Sequence, residues 1–369
     1  MAVASRVSLT RCSRNSASMS SVGRECTEAR SGSPSARLVI AASCSILRPD
    51  PRHPLQVPRP SRSLVCHTLD RVQERLRDAI AQAVGAGVVD ARPVAGGDVA
   101  RSYRVTLDDG RIVFAKTHAD PPAGFFVTEA NGLQWLREAG HVAIPDVLAV
   151  QDGSGPDTEG PTALLVLEWI DEDRHATITD VSEAQFGRSL ARLHCAGAPA
   201  FGREDRRPTG SRSLPNDPVA TWPEFYADRR LRPLVRMARD AGAVDQRVLE
   251  GVETIADRLD LFGAADEAPA RLHGDLWAGN RIVDHMGQHW LIDPAAHGGH
   301  REFDLAMMRL FGGFGAGAFQ AYDDEHPLAD GWQQRVPVHQ LAPLLVHAVK
   351  FGGHYRAAVA DAVAAVLAR

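Results

Sequence analysis

The chain has 369 residues, enough for one two-lobed unit or two modest domains around a large core. Hydrophobic residues make up 44% and charged residues 24%, an ordinary globular balance, and no apolar run reaches the length of a membrane span. The net charge of −5 lacks the basic excess of a nucleic-acid binder, so nucleic acid and membrane are both set aside as partners.

Residues 1–66 differ from the rest. Ten arginines stand there against Glu25, Glu28 and Asp50, among many Ser and Pro, without sustained periodicity. Such a segment buries too little surface to order itself. It is expected to be a disordered extension or the result of a start placed too far upstream, with Met19 a later candidate; its composition is also that of a transit peptide. Cys12, Cys26, Cys44 and Cys66 lie here and only Cys195 lies beyond. No disulfide framework is expected, and the body reads as a cytoplasmic enzyme of a reducing compartment.

Periodic sequence begins near Leu69. Leu69, Val72, Leu76 and Ile80 recur at helical spacing and Gly85 and Gly87 end the element. Gly96 and Gly97 then open a strand running to Val105, Asp108-Asp109-Gly110 supplies a hairpin turn, and Ile112 to Lys116 returns. Glycines before a hairpin suit a loop that brings backbone amides close to phosphates. Gly124 to Gly140 reads as a helix whose apolar stripe of Phe126, Leu133 and Leu136 is interrupted by Glu129. A carboxylate in an apolar stripe needs a cation, and Lys116 is the expected one. Ala163 to Ile170 is an apolar strand; the backbone of Glu168, Trp169 and Ile170 at its exit is the expected adenine contact. Helical patterns follow, around Phe186 to His194, Trp222 to Met237, Val338 to Tyr355 and Ala357 to Leu367. Strands first and helices afterwards predict an α+β, bilobal architecture: a small sheet lobe over 67–170 for nucleotide and a larger, mainly helical lobe over 171–369.

The richest stretch is His273-Gly-Asp275-Leu-Trp277-Ala-Gly-Asn280, followed by Asp293 at the end of the short strand His289 to Ile292. In the protein-kinase catalytic loop, H-R-D-L-x-x-x-N, the Asp takes the proton of the acceptor hydroxyl and the Asn holds magnesium. Asp275 and Asn280 keep that separation, and Asp293 stands where a kinase has its metal-binding D-F-G aspartate. Phosphoryl transfer asks a protein for positioning and charge neutralisation. The expected assignment is therefore Asp275 as base, Asn280 and Asp293 as oxygen ligands of Mg2+, and Lys116, oriented by Glu129, on the phosphates of ATP. The loop at Gly96 and Gly97 would cover them, although no Walker A sequence exists.

Two other classes were weighed. A metal-dependent hydrolase would draw on His273, Asp275, His285, His289, Asp293, His297 and His300, but His297-Gly-Gly-His300 gives no rigid ligand face and no H-E-x-x-H pair appears. A non-catalytic kinase-like binding module would be expected to lack the Lys, the base or a metal ligand, and all are present.

These residues resemble the fructosamine kinase (ketosamine-3-kinase) family, within the clan of aminoglycoside phosphotransferases and choline kinases. Trp277 in the catalytic loop carries the likeness. So does the block after Asp293, through Gly299-His-Arg-Glu302, Asp304-Leu-Ala-Met307, Leu310-Phe-Gly-Gly-Phe314 and Phe351-Gly-Gly353. The resemblance covers roughly 69–369 and implies a protein-kinase-like fold. It further implies ATP- and Mg2+-dependent phosphorylation of the O3 hydroxyl of a ketosamine, small or protein-bound. The phosphorylated adduct then breaks down and frees the amine. Trp277 would wall the sugar-amine. Aminoglycoside- or choline-type transfer is the runner-up. Three positions depart from the family pattern: Asp98 and its neighbours replace G-G-C-I-N, so no redox disulfide is expected at that loop; Ala278 stands for the usual Ser; and His297-Gly298 replaces an aromatic-rich pair.

Overall fold

The computed structural model describes residues 74–94, 100–118, 120–153, 163–173, 178–205 and 213–368. Gly96 and Gly97, the segment 1–66, and Leu69 and Val72 of the expected helical pattern lie outside the described residues.

Helix α1, described over 74–84, is followed by a five-stranded antiparallel sheet of β1 (Val88–Val94), β2 (Arg101–Leu107), β3 (Ile112–Thr117), β4 (Val147–Gln151) and β5 (Leu164–Glu168), in the order β1-β2-β3-β5-β4. The predicted hairpin forms: Leu107 and Arg111 bond across the turn, and Gly110 takes a φ of +86°. The strand is described from Arg101, and β1 and β4 are additions to the expected set. Both lie at sheet edges, half solvated, with polar or proline residues that weaken an alternation signal.

Central strands are covered on both faces, which explains their continuous apolar runs. Leu164 and Val166 of β5 join Val113 and Ala115 of β3 against Leu76 and Ile80 of α1. Leu165 and Leu167 point the other way, onto Phe126, Ala130, Leu133 and Leu136 of helix α2 (Phe125–Glu138). This period of two puts Phe114 and Lys116 on the α2 side of the sheet.

Beyond the sheet the chain is mainly helical: α3 (Asp180–Cys195), α4 (Trp222–Tyr226), a π turn (Ala227–Leu231), α5 (Arg232–Asp240), α6 (Gln246–Ala256), α7 (Glu302–Phe311), α8 (Ala316–Glu325), α9 (Trp332–Phe351) and α10 (His354–Leu367). The last two break at Gly352-Gly353, four residues before the boundary expected from the sequence. The two glycines take φ of +62° and +55°, which ends α9 whatever the apolar spacing beyond. Short strands β6 (Ala270–Leu272), β7 (Arg281–Val283), β8 (His289–Leu291) and β9 (His297–Gly299) form two ribbons, β6-β9 and β7-β8. One apolar cluster runs from α2 through Leu276 and Leu291 to α3, α7 and α8. It fixes the ribbons against both the sheet side and the helices. Among the described residues no helix is long and apolar enough to cross a membrane.

Candidate active site

Lys116 is 6% exposed at the end of β3, and its Nζ lies 2.8 Å from Glu129 Oε1 and also bonds Asp293 Oδ1. Burial opposes its charge, but the two carboxylates raise its pKa above the ordinary lysine value. Burial raises the pKa of Glu129 in turn, against the pull of Lys116. The predicted pair is present, with Asp293 as a third member. Helix α2 can reach this close because Gly132, one turn beyond Glu129, meets Ala296 and Pro294: an added Cβ would come within 3.2 Å of Ala296 Cβ. Asp293 itself takes a φ of +53°, a left-handed conformation uncommon outside glycine. That turn separates the direction of its side chain from the run of β8.

The loop after β6 is tied down atom by atom. Gly274 has a φ of +79° and a Cβ there would fall 2.2 Å from the Ala295 carbonyl, so only glycine fits between His273 and Asp275. His273 Nε2 donates to the Ile292 carbonyl at 2.9 Å, and its Nδ1 accepts from the Asp275 amide at 3.3 Å. Burial lowers its pKa, and the neutral ring bridges the loop to the residue before Asp293. Asn280 Nδ2 donates to the Asp275 carbonyl at 2.9 Å and to Asp275 Oδ2 at 3.1 Å. Its Oδ1 is thereby turned away as an acceptor. Desolvation by the surrounding protein pushes Asp275 up from 3.8 to about 7, only partly offset by Asn280. A carboxylate near neutrality is suited to take a proton.

Asp304 completes the frame and was not singled out as a functional residue from the sequence. Fully buried on α7, it accepts the amides of His273 at 2.8 Å and Gly274 at 2.9 Å, and lies 3.3 Å from His194 Nε2. The signal was there: an Asp inside Phe303-Asp-Leu-Ala-Met needs buried donors. A second brace is the buried pair Arg281–Glu183 at 2.7 Å. Arg281 also donates to the Gly313 carbonyl at 2.5 Å, and Glu183 accepts the Gly315 amide at 3.0 Å. The loop held in this way rests on Ala278, where a Cβ on Gly313 would come within 2.4 Å of the alanine methyl. Ala278 is a packing surface here.

Trp277 is 41% exposed, edge-on to Phe311 at 6.2 Å. Its ring lies over Gly279, where a Cβ would come within 2.3 Å. Glu168 turns its carboxylate back onto the Asp146 amide at 3.1 Å, while Trp169 and Ile170 stay half-buried just past β5. Among the described residues, those named for a hydrolase do not form a metal-capable group of three. His289 stacks on Phe186, and His297 is buried against Phe225, its pKa lowered to about 3 by desolvation. The metal-capable cluster among the described residues is His300, Glu302 and His339. Arg335 already answers Glu302 through bonds of 2.5 to 3.2 Å, and His300 spends both ring nitrogens on Ala264 and the Glu302 amide. That cluster is a structural network.

Comparison with known proteins agrees with the geometry. The family model for fructosamine kinase matches residues 72–369. The chain is 34% identical over 264 residues to a protein of Enterococcus faecium named "Probable ketoamine kinase", covering 71% of this chain and 90% of that one. It is 35% identical over 275 residues to a protein of the same name from Thermus thermophilus, covering 74% and 93%. Among solved structures, a "putative fructosamine-3-kinase" from Thermobifida fusca superposes with a TM-score of 0.71 at 39% identity, over 80% of this chain and 99% of that chain. An amicoumacin kinase, solved with AMP-PNP and Ca2+, shares the fold alone, at 17% identity and a TM-score of 0.55 over 80% and 89%. The chain belongs to the fructosamine kinase family, phosphotransferases of protein-kinase-like fold.

Proposed function

We propose that the protein transfers the γ-phosphoryl group of ATP to the O3 hydroxyl of a ketosamine, a ribulosamine or fructosamine adduct on a small amine or a lysine side chain. The observation that carries this reading is the convergence of Lys116, Glu129 and Asp293 beside the Asp275–Asn280 pair. Lys116 binds the phosphates and Glu129 holds it in place. The donor set fits a hard divalent cation: Asp293 offers a carboxylate and Asn280 an amide oxygen. Two carboxylates, Asp293 and Glu129, share the Lys116 ammonium, which leaves negative charge for Mg2+ to balance. Held there, Mg2+ supplies neutralisation of the triphosphate.

Asp275 orients the acceptor hydroxyl and takes its proton as the O3–phosphorus bond forms and the bond to the β-phosphate oxygen breaks, releasing ADP. The new phosphate sits next to the C2 carbonyl carbon. Enolisation toward C1 expels it, and hydrolysis of the resulting imine frees the amine, a deglycation. Trp277 walls the sugar, Glu168 to Ile170 line the adenine, and Asp304 positions the loop.

Coupled ADP release with ribuloselysine, fructoselysine, kanamycin and choline in parallel tests the assignment. Turnover with a ketosamine is expected; turnover with kanamycin or choline alone refutes it.

A further inference from the structure

The rings beside the catalytic loop do not stop at Trp277. Trp277 meets Phe311 at 6.2 Å, and Phe311 meets His347 at 4.9 Å. His347 in turn meets Phe351 at 5.5 Å and Tyr355 at 4.9 Å. Two local features make this row. His347 and Phe351 stand four residues apart at the end of α9, one above the other on the same face. The positive φ of Gly352 and Gly353 then turns the chain, and the start of α10 brings Tyr355 back to 6.1 Å from Phe351.

Rings in contact usually close a core, yet both ends of this row lie in solvent. Trp277 is 41% exposed and Phe351 55%, and among the described residues they are the exposed Trp, Phe or Tyr side chains. Both belong to a continuous surface that starts two residues from Asp275. Aromatic surface left open next to a reacting group is the kind that a ligand covers.

The outer end of the row also has a charge. Lys350 Nζ lies 4.9 Å from the centre of the Phe351 ring. Burial, Asn280, Asp293 and Asp304 act on the Asp275 carboxyl first, and the charge of Lys350 is felt there as well, so the end of α9 faces the side of the base. A group that settles on Phe351 is therefore next to an ammonium, which favours a carboxylate and works against a second cation.

A ketosamine joins its reacting O3 to its amine nitrogen through C3, C2 and C1 alone. With O3 at Asp275 and the sugar on Trp277, whatever the nitrogen bears leaves along the row. An adduct on the α-amine of an amino acid has a carboxylate and a side chain on the carbon next to that nitrogen. An adduct on a lysine ε-amine has a run of methylenes there instead. We propose that Phe351 and Lys350 form the subsite for the amine half of the acceptor and select adducts of α-amino acids with an aromatic side chain. The subsite rests on the ketosamine reading and deepens it.

The test is the KM of the full chain for four ribulosamines: those of phenylalanine, phenylalaninamide and alanine, and the ε-amine adduct of Nα-acetyllysine. The phenylalanine adduct should have the lowest KM. Alanine in its place should raise KM about fivefold or more, the size of one aromatic contact, and the amide about threefold, the size of an exposed charge pair. Phe351→Ala, at an exposed position, should erase the difference between phenylalanine and alanine. Lys350→Gln should erase that between acid and amide. Both variants should keep the KM for ATP within about twofold of the wild type. A difference that persists in the variant meant to erase it would overturn the role of that residue. Equal KM values for all four adducts would overturn the subsite alone, and no turnover of any ribulosamine would overturn the ketosamine reading with it.

Discussion

Replacing Asp275 by Asn should abolish turnover while stabilising the fold, and the stabilisation should depend on pH in a calculable way. Burial raises the Asp275 pKa from 3.8 to about 7. A carboxyl whose folded pKa is raised favours the native state fully below 3.8 and loses that advantage as pH climbs to the folded value. Each unit is worth about 1.36 kcal/mol. From pH 5 to pH 7 the wild type therefore loses about 2 kcal/mol that the neutral asparagine does not lose. The difference flattens about one unit above the folded pKa, with a ceiling of about 4 kcal/mol over the whole range. The amide preserves the geometry, since Asn280 Nδ2 still finds an oxygen at the position of Oδ2. Urea unfolding of both proteins at pH 5, 6, 7 and 8 measures the gap directly; in thermal melts it corresponds to several degrees at this size. A gap that stays constant or shrinks as pH rises would refute the claim that Asp275 is held near neutrality by burial. The same titration should appear as an acid limb near pH 7 in kcat/KM of the unliganded enzyme, with activity rising as the carboxylate forms.

Lys116→Met removes the cation between Glu129 and Asp293; the KM for ATP should rise and kcat fall at least about a hundredfold by steady-state assay. Glu129, left buried without its partner, should take up a proton, so the variant should be more stable at pH 6 than at pH 8. Arg281→Met leaves Glu183 buried without its partner, and chemical denaturation should show a loss of about 3–5 kcal/mol; the double variant with Glu183→Leu should recover most of it. Gly279→Ala drives a methyl into the Trp277 ring, so the KM for the ketosamine should rise with that for ATP unchanged, and equal rises in both would place Trp277 outside the acceptor wall.

The sheet-and-helix outline was readable because its carriers are repetitive. Alternation in β2 and β3 and the stripe of α2 each repeat over several residues, and Glu129 was conspicuous as the exception inside its stripe. The pairing of Lys116 with Glu129 followed from that exception. Asp293 as a third partner did not, because a bond across 177 residues leaves no mark on either local pattern. Asp304 and the Arg281–Glu183 brace were hidden for the same reason: a buried charge looks like a surface charge until its partners converge. The edge strands β1 and β4 were lost to half-solvation, and the end of α9 to two glycines whose positive φ outweighs the apolar periodicity around them.

The ion pair between Lys116 and Asp293 has a consequence for how nucleotide enters. Each member serves the other as counter-ion before any phosphate arrives, with Glu129 as a second partner of the lysine. On the proposed roles, the triphosphate draws Lys116 away and exposes Asp293, while the divalent cation draws Asp293 away and exposes Lys116. The triphosphate alone leaves Asp293 without a cation, and the divalent cation alone leaves Lys116 to Glu129; together the two ligands exchange partners with the pair. Nucleotide and metal should therefore bind with positive linkage, each tightening the other by the same factor, and metal-free ATP should be a poor competitor of the complex. The selectivity for a metal–nucleotide complex is then written into a lysine and an aspartate, ahead of any contact with the sugar that receives the phosphate.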